Sequence, residues 1–157
     1  MKDQQQEHDL VPINYDLIFA ELKKGLRRHD HPVVAALYSI TDAGTFYREF
    51  RTVAFTTSRQ TGAKMWAVEQ ISKDDDAILV FASHSLAMLT REYHLKEHAD
   101  RVFSETEFSK AFRTRALKPY ARYFFFDTAA MSEHTFHSFH CFLYETGQKE
   151  PLIVKIK

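Results

Sequence analysis

The chain has a single cysteine, Cys141, among its 157 residues. One thiol makes no internal disulfide, and no cysteine pair exists for a zinc ribbon or a thioredoxin motif. Glycine is scarce: Gly25, Gly44, Gly62 and Gly147 are the full set, and no two lie close together. A phosphate-cradling loop needs clustered glycines so that the backbone can approach the anion. That excludes the P-loop, the dinucleotide fingerprint and the kinase glycine loop, and the G-x-S-x-G elbow is absent as well. Net charge is also missing, with 21 Lys+Arg against 21 Asp+Glu. The longest apolar runs, Val33–Tyr38 and Ala77–Ala82, fall far short of the roughly 18–20 residues a membrane span requires. Residues Met1–Asp9 are polar and lack the apolar core of a signal peptide. The expectation is a cytoplasmic protein that does not engage a membrane.

What the chain has in plenty is aromatic side chains: fourteen Phe, seven Tyr and one Trp. They supply a core large enough for one globular domain over 1–157, with residues 1–12 as a flexible polar tail. From Asn14, a capping residue, Tyr15, Phe19, Leu22 and Leu26 recur at helical spacing, and Lys23, Lys24, Arg27 and Arg28 crowd the helix end before Pro32 closes the segment. Val33–Ile40 is a short buried run of either type. Phe50–Ser58, Lys64–Ile71 and Ala77–Ala82 read as three strands of an antiparallel meander, with a helix over Thr45–Ala54 as the rival for the first.

A helix capped by Ser85 then runs to about Arg101. Met88, Leu95, Ala99 and Val102 form its buried stripe, and Arg91, His94, His98 and Arg101 its solvent face. Ser104-Glu105-Thr106-Glu107 has the form of a capping box and opens a helix that buries Phe108, Ala111 and Phe112. Tyr120–Phe126, His134–Tyr144 and Leu152–Ile156 read as further strands, the last two as a hairpin. The predicted fold class is α+β: an antiparallel sheet from two strand groups, with an N-terminal helix and two central helices packed on it.

Three features carry possible chemistry. His94-Leu95-Lys96-Glu97-His98 matches H-x-x-E-H. On a helix its two imidazoles lie one turn apart and hold a divalent ion, zinc by donor type, with Glu97 as general base of a hydrolase. The neighbouring arginines oppose a cation, and catalytic zinc needs a third ligand. His134, His137, His140 and Cys141 resemble a ligand set if helical. As a strand, the preferred reading, His134 and His140 share one face while His137 and Cys141 take the other. His134 or His140 joining His94 and His98 would complete a three-histidine centre.

The third feature is basic. Lys23, Lys24, Arg27 and Arg28 form one cluster; Arg113, Arg115, Lys118 and Arg122, interleaved with Phe112, Tyr120 and Tyr123, form another. Cations beside rings suit single-stranded nucleic acid, although the net charge of zero does not. No cofactor is firmly implied. The leading expectation is a small interaction or regulatory protein without catalysis, working through a protein partner, a homodimer contact or a ligand. Its motivation is the run Phe124-Phe125-Phe126. Alternation along a strand sends these rings to both faces, so something has to cover each face.

Overall fold

The computed structural model describes residues 13–26, 31–57 and 61–157. The fold differs from the expected class. Among the described residues five strands form one sheet in which every pair is parallel, in the order β1-β5-β4-β2-β3, so the protein is α/β and not antiparallel α+β. The strands are β1 (Thr52–Phe55), β2 (Ala77–Phe81), β3 (Val102–Ser104), β4 (Arg122–Phe126) and β5 (Leu152–Ile156). The helices are α1 (Tyr15–Lys24), α2 (Pro32–Ile40), α3 (Ala43–Phe50), α4 (Ala63–Lys73), α5 (His84–Tyr93), α6 (Glu105–Arg113) and α7 (Glu133–Glu145).

Two of the expected strands are helices, and each error has a physical cause. Over Lys64–Ile71 the apolar residues recur as Ala63, Trp66, Ala67 and Ile71, a 3.6-residue period that turns one face of α4 onto the sheet. In α7, Thr135, Phe136, Phe139, His140, Phe142 and Leu143 are buried, again at helical spacing. Its start is capped: Ser132 Oγ accepts from the His134 N–H at 3.2 Å. With α7 helical, the carboxy-terminal hairpin disappears and β5 pairs in parallel with both β4 and β1. Pro32 does not end the first helix; it stands at the first turn of α2, where a missing N–H costs nothing. The rival reading near Thr45 was half right, since α3 ends at Phe50 and β1 follows.

The expected polar tail over 1–12 falls outside the described residues, and Val33–Ile40, expected to be a buried run, is a helix with only Val34 buried. Two local capping signals hold. Asn14 caps α1, accepting from the Leu17 N–H at 3.0 Å, and Tyr15 and Phe19 are buried. The Ser104–Glu107 capping box forms with both of its hydrogen bonds, at 2.8 and 3.3 Å.

The sheet is buried on both sides, which explains why β2 reads as unbroken apolar sequence. Leu79, Phe81, Phe124, Val154 and Ile156 face α1, α4 and α5 in one core. Ile78, Val80, Tyr123, Phe125 and Ile153 face α3, α6 and α7 in the other. Phe124 and Phe125 thus enter opposite cores, each about 1% exposed or less, and Phe126 packs against the first. The chain's own helices cover both faces, so these three rings are no argument for a partner. None of the described helices is long and apolar enough to cross a membrane.

Candidate functional site at the carboxyl edge of the sheet

Parallel strands point all their carboxyl ends to one edge. In an open α/β sheet, ligands bind at that edge where the helices switch sides. Here the switch lies between β2 and β4. The chain leaves β2 into α5, whose Ala87 belongs to the first core, and leaves β4 into α7, whose Phe136 and Phe139 belong to the second. The two loops part to opposite faces beyond Phe81 and Phe126, which pair in register.

One wall is the start of α5. Ser83 caps it, its Oγ accepting from the Leu86 N–H at 3.3 Å, and His84 and Ser85 stand exposed in the first turn, where N–H groups lack intrahelical acceptors. The other wall begins with Asp127, exposed and held in the left-handed region at φ 62°, ψ 48°. Such a conformation in a residue other than glycine is uncommon and gathers at functional turns.

The edge is braced by the amino end of α6. Arg91 donates to both carboxylate oxygens of Glu107 and, through Nε and Nη2, to the Val102 carbonyl at 2.9 and 2.7 Å. This pairing with Arg91 brings the Glu107 carboxyl down to about 2. His84 Nδ1 lies 3.9 Å from the same carboxylate. Glu105 braces the other side, accepting from the Ser132 N–H at 2.8 Å and the Thr135 hydroxyl at 2.6 Å. Further along, half-buried Lys155 on β5 sets its ammonium 3.7 Å over the Phe136 ring, and burial holds it below the ordinary lysine range.

The sequence-predicted site residues lie elsewhere. His94 ends α5 as its C-cap, and residues Lys96–Arg101 form a separate 3₁₀ turn broken at His98 (φ −123°, ψ 23°). His94 and His98 therefore do not stand one turn apart on a continuous helix, and Glu97 is exposed beside them. The segment is at the amino edge, opposite the carboxyl edge. His98 Nδ1 instead contacts the Arg101 guanidinium at 2.8 Å, and Arg101 is buried with bonds to the carbonyls of Asp74 (2.6 Å) and Ala77 (3.0 Å). The expected stripe was also partly misplaced: Met88 is 52% exposed, while Arg101, placed on the solvent face, points inward.

On α7, His134 is exposed and His140 is buried against Tyr47, their rings 5.8 Å apart, with His140 Nε2 unpartnered among the described residues. His137 and Cys141 approach each other, at 3.9 Å. No group of three His, Cys, Asp or Glu side chains suited to a metal exists among the described residues.

The basic clusters do not merge into one strip. Lys23 and Arg122 line the same small cavity of about 220 Å³, but so do Asp16 and Asp74. Arg122 is bonded to Asp74, Lys24 to Glu21, and Lys118 rests over Tyr120. Arg113 and Arg115 lie across the sheet, on a cleft between α6 and α7. Arg27 and Arg28 fall outside the described residues.

Sequence reasoning missed Ser83, His84, Asp127 and Lys155. Their signal was present: a fully apolar strand and a triple Phe mark strands covered on both faces, hence a parallel sheet, hence a functional edge just after each strand. Comparison with protein-family models, with curated proteins and with solved structures returned no match.

Proposed function

We propose that this protein is a non-catalytic binding domain that takes a small polar ligand at the carboxyl edge beyond β2 and β4. The observation that carries the reading is the parting of α5 and α7 to opposite faces, with Asp127 in a left-handed turn at the mouth. The surroundings carry both signs, Lys155 against Asp127 and Glu107, with the His84 imidazole beside them. That selects a molecule with donor and acceptor groups over a polyanion such as nucleic acid. Three of the polar groups here already have structural work. Ser83 accepts from the Leu86 N–H, Glu105 holds α7, and Glu107 holds Arg91. That favours binding over turnover. The free thiol of Cys141 fits the reducing cytoplasm.

The test is an amide NMR titration of the whole chain with a library of polar fragments. The expected result is shifts concentrated at residues 83–85, 104–107 and 127–132. Shifts centred on the open groove lined by Ile13, Met65 and Trp66 would overturn the assignment.

A second reading, self-association through α5, is favoured by one observation. Met88, Leu89 and Tyr93 are 52%, 51% and 69% exposed and adjoin on its outer side. An apolar strip of this kind is self-complementary about a two-fold axis. Sedimentation of the native chain and of Leu89→Glu decides it: a dimer that the variant dissociates supports the contact, and a native monomer at high concentration removes it.

A further inference from the structure

The cleft between α6 and α7 gathers chemistry that the carboxyl-edge site does not use. It has a volume of about 360 Å³ and is lined by Arg113, Arg115, His137, Cys141 and Glu145 over a floor of Phe112 and Phe142. Cys141 is half-buried at its wall, and its Sγ lies 3.9 Å from Nε2 of exposed His137, one helical turn earlier on α7. Arg113 is exposed and has no hydrogen-bond or ion-pair partner among the described residues. Among the described residues the Arg115 guanidinium meets only the Glu145 carboxylate, at 3.5 Å, with both side chains mostly in solvent. A thiol with an imidazole in reach, in a cleft bearing two guanidiniums and one carboxylate, differs from an isolated surface cysteine. It has a base, a volume to fill and a net positive rim.

We propose that this cleft is a thiol-modification site at which Cys141 exchanges with low-mass disulfides that carry carboxylates. Arg113 and Arg115 draw the carboxylates, and the guanidinium fork suits them geometrically. His137 Nε2 takes the Cys141 proton. The thiolate attacks one sulfur of the disulfide, the old S–S bond breaks, and a mixed disulfide to Cys141 forms. The departing thiolate takes the proton back from His137. The disulfide is itself the oxidant, so atoms and electrons balance. Substituting a bulky anionic group here crowds the α6–α7 seam and couples the thiol's redox state to a helix pair that also frames the carboxyl edge.

Because Cys141 is the only cysteine, intact mass reports this site alone. The native chain is mixed with oxidised glutathione, an anionic disulfide, or with cystamine, a dicationic one. Each rate is divided by that of the urea-unfolded chain with the same reagent, which removes intrinsic reactivity. The expected native preference for the anionic disulfide is at least about fivefold at low ionic strength, decaying in about 0.5 M salt as surface fields are screened. It falls toward one in the Arg113→Ala/Arg115→Ala variant. His137→Gln slows both reagents alike and leaves the preference intact. A native preference near one, or one that salt does not change, overturns the proposal. The salt series uses the unaltered protein and decides the matter even if a variant fails to fold.

Discussion

The two histidine-bearing segments both depart from their expected shapes, in opposite directions of regularity. Residues 94–98, where the motif implied a regular helix, form the frayed end of α5 followed by a 3₁₀ turn. Residues 134–141, where a strand was expected, lie in the thirteen-residue helix α7. The difference lies in the apolar neighbours and not in the histidines. Around 94–98 only Leu95 is buried and offers no periodic stripe, so the local chain is organised by a buried guanidinium at Arg101. Around 134–141, Phe136, Phe139, Phe142 and Leu143 form a continuous stripe onto β4 and β5, and burying it sets the period. Histidine spacing carries information about metal only after the backbone period has been established by other residues.

The largest effect that sharpens this contrast is expected at Phe139. Its ring is fully buried and packs edge-on against Tyr123 and Phe108 at 4.8 and 5.1 Å. Phe139→Ala is expected to cost about 3–5 kcal/mol in urea unfolding. A loss below about 1 kcal/mol would mean that α7 is not held by this stripe. The next effect is a dependence on pH at His140. Burial, with Lys155, His137 and Arg48 nearby, pushes its imidazole down to about 4. The folded chain holds it neutral, whereas the unfolded chain protonates near its ordinary 6.5. Stability is therefore complete above about pH 6.5 and declines on acidification toward pH 4, by up to about 3 kcal/mol. In His140→Leu the decline over that interval is expected to shrink by this amount; an unchanged pH profile would refute it.

At the other segment, Arg101→Ala leaves the carbonyls of Asp74 and Ala77 without their donor, and the expected cost is about 2–3 kcal/mol by the same unfolding measurement. Its ion pair with Asp75, whose side chain is fully exposed, adds little, so Asp75→Asn is expected to be near neutral. The smallest effect is at His94. It is exposed at a helix end, and His94→Ala is expected to change stability by less than about 0.5 kcal/mol. A comparable loss at His94 and Arg101 would erase the distinction drawn between them.

Several parts of the fold were legible in the residues. Local signals whose partners lie within four positions came through intact: the Asn14 cap, the Ser104–Glu107 box, the face of α1 and the strand character of Ala77–Phe81. The helices α4 and α7 were read as strands: the spacing of Trp66, Ala67 and Ile71 and of Phe136, Phe139 and Leu143 carries a helical period, but a high content of β-formers and aromatics masked it. The carboxyl-edge site was not legible as a motif, because Ser83, Asp127 and Lys155 belong to different loops and strands and share no spacing.

By itself, then, the amino-acid sequence determined where short-range structure starts and stops, because caps and amphipathic stripes are satisfied within a few residues. It also determined that β2 and β4 need cover on both faces, since their apolar residues do not alternate with polar ones. Strand direction, the order β1-β5-β4-β2-β3 and the parting of α5 and α7 between β2 and β4 were decided only by the tertiary structure. Those depend on which distant segments bury one another's surface, a choice made by the whole core at once and written in no single stretch of the chain.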